Sequence, residues 1–61
     1  LETGTIDKPG DIYILLGMAY TELEEYDQAI ESFQKVLEVG AERNKKNAES
    51  WIEYVSDRQG S

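Results

Sequence analysis

The sequence predicts an all-α fold: an antiparallel helix hairpin over residues 9–40, then a third helix over residues 47–59. Three observations carry this. Tyr26, Ala29, Ile30, Phe33, Val36 and Leu37 recur at three- and four-residue steps, the apolar stripe of one amphipathic helix. Ahead of them, Ile12 to Tyr20 is apolar apart from Gly17, and the polar break Glu22-Leu23-Glu24-Glu25 joins the two segments. Behind them, Asn47 stands as a cap before Ala48, Trp51, Ile52, Tyr54 and Val55, which share one side of a helix.

In chain order, residues 1–8 read as a lead-in without helical period, broken by Gly4. Asp7-Lys8-Pro9-Gly10-Asp11 starts the first helix, residues 9–23. Proline fits a first turn, where its missing N–H costs no bond, and the two acids suit the positive end of the helix dipole. This segment has apolar residues all round, so it is buried on more than one side. A buried strand is the rival reading, and the firmly helical segment that follows decides against it. The second helix, residues 26–40, is expected to expose Asp27, Gln28, Glu31, Ser32, Gln34, Lys35 and Glu38, and Gly40 ends it. Residues 41–46 are polar and basic, a linker or a helical continuation.

Gly17 costs roughly 1 kcal/mol in mid-helix, which close packing must offset. Ala29 is the matching small residue on the second helix, and the pair is expected to face each other. Tyr13, Leu16, Gly17, Tyr20, Tyr26, Ala29, Phe33 and Leu37 together resemble the pattern of the tetratricopeptide repeat, a helix hairpin with a period of about 34 residues. The resemblance covers one unit and implies a repeat core of those residues with Ile30. Three positions depart from the pattern: Glu24 where a turn glycine is usual, Val36 where alanine is usual, and Ala41 where proline closes the repeat. Asn47 to Trp51 resembles the opening of a next repeat, with Trp51 at its fourth position, about four residues late for that period. The match then fails at Val55 and Arg58, so this segment is expected to be a terminal capping helix anchored by Trp51, Tyr54 and Val55.

The resemblance also implies a function, protein–protein scaffolding. Such repeats bind partners along the concave surface of their first helices, which here implies Asp11, Ile14, Leu15, Met18, Thr21 and Glu22. The lysine, asparagine and arginine with which one subclass clamps a terminal carboxylate are absent from these positions. Ile14, Leu15 and Met18 would instead meet an apolar partner, another copy of the chain or a preceding repeat. The alternative is the C-terminal part of a longer groove that holds an extended, mainly apolar peptide.

Composition narrows the classes further. A chain of 61 residues buries only about 60% of its unfolded surface, and it has neither cysteine nor histidine to add a disulfide or zinc staple. Extra burial is therefore expected from outside, as a homo-oligomer or from further repeats, the chain reading as a piece of a longer protein. The net charge of −7 opposes nucleic acid and anionic membrane as partners. Charge is uneven: residues 1–42 carry ten acids against two lysines, residues 43–61 four bases against three acids. The longest apolar run, nine residues, is too short to insert in a membrane. The residues favour neither cytoplasm nor bacterial periplasm. The acidic cluster Glu22, Glu24, Glu25 and Asp27 lacks the spacing of a calcium loop. No nucleophile–base pair or phosphate-cradling loop is present, so no catalysis, metal or cofactor is expected.

Overall fold

A computed structural model describes residues 8–60 of the chain. The expected lead-in, residues 1–7, lies outside the described residues, and Lys8, read with it, is the first residue of a helix. Three helices follow one another: α1 (Lys8–Glu22), α2 (Tyr26–Val39) and α3 (Glu42–Gly60). α2 packs broadly against both others, whereas α1 and α3 meet only along a narrow edge.

Local chemistry sets the ends of the helices. Pro9 sits in the first turn of α1. At the other end the Glu25 N–H donates to the Tyr20 carbonyl at 2.8 Å, and the Glu24 N–H to the Thr21 carbonyl at 3.0 Å. These two bonds form a Schellman closure, which needs a left-handed residue just past the helix. Glu24 is that residue, at φ 62, so the turn keeps its shape with glutamate doing a glycine's work. α2 carries Asp27 in its first turn and ends where the Gly40 N–H donates to the Val36 carbonyl at 2.7 Å. Gly40 itself has φ −81 and makes no use of glycine's freedom.

The third helix begins earlier than its sequence suggests. Gly40 and Ala41 alone connect α2 to α3, and Glu42 already lies in the first turn, favouring the helix dipole. Residues 42–46 are thus part of α3, and Asn47 lies inside the helix rather than capping it. The run Glu42 to Lys46 holds no glycine or proline to stop a helix, which is why the two-residue connection suffices. α3 starts 34 residues after α1. Asn44 is buried as Gly10 is, Ala48 as Ile14 is, and Val55 stands where Thr21 does. This register places Trp51 at the position of Gly17 and Tyr54 at that of Tyr20, not Trp51 at the place of Tyr13.

The core consists of Ile14, Ala29, Phe33, Val36, Ala48 and Val55, flanked by Tyr13, Tyr20, Tyr26, Ile30, Leu37, Trp51 and Ile52. Phe33 is its centre. A Cβ built on Gly17 would stand 2.5 Å from the Phe33 ring, so Phe33, not Ala29, fills the space over the glycine. On its α3 side Phe33 stacks against Trp51, with ring centroids 5.5 Å apart and planes 11° from parallel. One aromatic ring thus joins all three helices: a glycine gives way to it on α1 and a tryptophan covers it on α3. The narrow α1–α3 edge is pinned by the buried Asn44, whose side-chain amide donates to an Asp11 carboxylate oxygen at 2.9 Å. Gln59 donates likewise to the Asp27 carboxylate, tying the end of α3 to the start of α2.

Candidate protein-binding surface

The two sides of α1 differ in what covers them. Successive helical residues are rotated by about 100°. Gly10, Ile14 and Gly17 are buried against the other helices, with Tyr13, Tyr20 and Thr21 half-buried around them. On the opposite side Ile12, Leu15, Leu16, Ala19 and Leu23 fall within an arc of about 100°. Every one of these is exposed: Ile12 by 53%, Leu15 by 65%, Leu16 by 41% and Leu23 by 67%. α1 therefore has two apolar faces, and its own chain covers one.

The equivalent positions of α3, 34 residues on, make the contrast. They are Lys46, Glu49, Ser50, Glu53 and Asp57, all polar or charged and all exposed. The same helical face is apolar at one end of the molecule and polar at the other. This is the feature that the residue pattern alone did not single out, because it needs the register between α1 and α3.

The six positions expected to form a concave binding face are dispersed. Ile14 is a correction: at 8% exposure it belongs to the core, since it falls on the same side of α1 as Gly10 and Gly17. Asp11 is half-buried and engaged with Asn44. Thr21 is half-buried too, its hydroxyl donating to the Gly17 carbonyl at 2.8 Å. Leu15, Met18 and Glu22 are exposed, with Leu15 on the outer stripe and Met18 near its edge. Leu16, expected in the repeat core, is also corrected: rotation carries it to the outer stripe. The remaining core positions, Tyr13, Gly17, Tyr20, Tyr26, Ala29, Ile30, Phe33 and Leu37, are buried or half-buried. Val36, a departure from the pattern, is fully buried, and Ser32, expected on the solvated face of α2, is a correction, being buried as well.

Of the expected anchors of α3, Trp51 stacks on Phe33 and Val55 is fully buried. Tyr54 is not an anchor, being 48% exposed. Its ring meets Trp51 edge-on at 5.7 Å, and the Arg58 guanidinium lies 5.5 Å from its centroid. A hydrogen bond with Tyr26, and then the neighbouring Tyr54, hold the Arg58 pKa above its ordinary value. Thr21, Glu22, Glu24, Tyr26, Tyr54 and Arg58 line an open cleft of about 220 Å³ between the ends of α1 and α3. Its lining is mostly polar.

Comparison with protein families matches residues 10–39 to the tetratricopeptide repeat. The chain carries a tetratricopeptide repeat. The match spans the hairpin α1–α2 and stops before α3. Comparison with curated proteins and with solved structures finds no significant match. Repeats of this family mediate protein–protein interactions and are typically non-enzymatic scaffolds. Among the described residues no three His, Cys, Asp or Glu side chains converge as a metal site, and no helix is long and apolar enough to cross a membrane.

Proposed function

We propose that this chain is a protein–protein interaction module that docks through the outer face of α1, burying Ile12, Leu15, Leu16, Ala19 and Leu23 against a partner protein or another copy of itself. One observation carries the reading: the same helical positions are apolar on α1 and polar on α3. A lone exposed leucine is ordinary, but a contiguous apolar stripe along a helix is the mark of an interaction surface. The polar outer face of α3 supports a capping role, closing the opposite end against water. The groove reading, in which an extended apolar peptide lies between first helices, finds little support. Ile14 is buried, Asp11 is engaged with Asn44, and Thr21 and Glu22 present polar groups beside Arg58.

A photo-crosslinking residue placed at Leu15, with a control at Glu53 on the equivalent face of α3, tests the reading in cells. Capture of protein at position 15 and none at position 53 is expected. Equal capture at both, or none at position 15, overturns it.

A further inference from the structure

We propose that the outer face of α1 is covered by the same face of a second copy of this chain, paired antiparallel about a two-fold axis. This rests on the docking role of that face and names its occupant. Charge placement is the first argument. Lys8 is the sole basic residue of α1 and stands at the start of the stripe, while Glu22 stands at its far end. Rotation along the helix sets both within about 20° of Leu15, so each borders the apolar stripe. A two-fold axis through the middle of the stripe, between Leu15 and Leu16, brings Lys8 of one copy level with the partner's Leu23, one residue from the partner's Glu22 on the same side of the stripe. The same operation sets Ile12 against the partner's Ala19, large against small, and does so twice. A parallel pair would instead crowd the two acidic turns, Glu22, Glu24 and Glu25, against each other.

The second argument is by elimination on the molecule's own surface. The exposed residues of α2 include Asp27, Gln28, Glu31, Gln34, Lys35 and Glu38, and the outer face of α3 is polar. Among the described residues, the contiguous apolar stripe that matches the outer face of α1 is that face itself. A two-fold pairing is closed, so it leaves no second apolar face to build a filament.

Sedimentation equilibrium of the 61-residue chain from micromolar to millimolar concentration tests this. The mass should rise from one chain to two and stop there. Lys8→Glu turns two symmetric ion pairs into like-charge pairs and should raise the dissociation constant about tenfold. Glu22→Lys should do the same, and the double exchange K8E/E22K should restore the original value. Each single substitution suits the helix dipole better than the native residue, so helix content should hold or rise and unfolding cannot mimic lost pairing. A monomer at millimolar concentration, or a dimer indifferent to both charges, overturns the proposal. If position 15 then still crosslinks to a different protein, the docking function stands without the dimer. If it captures nothing, both fall together.

Discussion

At the scale of single residues, two positions carry opposite lessons about glycine. Gly17 lies in a helix, where alanine is better by roughly 1 kcal/mol, yet a Cβ there would meet the fully buried Phe33 ring at 2.5 Å. That ring is held by Trp51 behind it and cannot swing away. Overpacking of this kind costs about 1–3 kcal/mol, so it outweighs the propensity gain. Gly17→Ala should lower unfolding stability by about 1 kcal/mol in urea titration, and pairing it with Phe33→Leu should recover part of the loss. Glu24 is the reverse case. It holds φ 62 with a side chain that disfavours it, so Glu24→Gly should raise stability by about 0.5–1 kcal/mol. Thermal unfolding followed by circular dichroism checks it. The need for a small residue at 17 was legible in the sequence, and so was the awkward glutamate at 24. The partner of Gly17 was not, because Ala29 and Phe33 lie four apart on one stripe and only the axial register of the hairpin chooses between them.

At the scale of elements, the hairpin was readable because α2 has a single apolar stripe and α1 faces it across a short turn. The start of α3 was not. Glu42 to Lys46 is polar enough to be a loop, and only the helical continuation through Asn47 aligns Asn44 with Asp11. α3 is held mainly through Trp51 on Phe33 and Val55 in the core, since its edge with α1 is narrow. Trp51→Ala removes the stack and should cost about 3 kcal/mol. Hydrogen exchange should then show α3 losing protection first, with α1 and α2 retaining more. Uniform loss across all three helices would mean that α3 is part of one cooperative unit with the hairpin.

At the scale of the whole molecule, α1 and α3 bury matching positions, Gly10 with Asn44 and Ile14 with Ala48, yet their outer faces differ completely in polarity. Stability of the single chain draws on the inner faces, whereas the proposed association draws on the outer face of α1. The two properties should therefore separate under mutation. Giving α1 the outer residues of α3 at equivalent positions means Ile12→Lys, Leu15→Glu, Leu16→Ser and Ala19→Glu together. All four replaced residues are exposed, and none belongs to the core or flanks it. At concentrations where the native chain is monomeric, the fourfold variant should keep its helix content and change in unfolding free energy by no more than about 1 kcal/mol. At high concentration it should remain a single chain by sedimentation, and with the crosslinking residue in place of the glutamate at position 15 it should capture no partner. Loss of the fold in this variant would mean that the outer stripe also supports α1 from within the chain. Retention of both the fold and the partner would move the docking surface to the cleft lined by Tyr54 and Arg58.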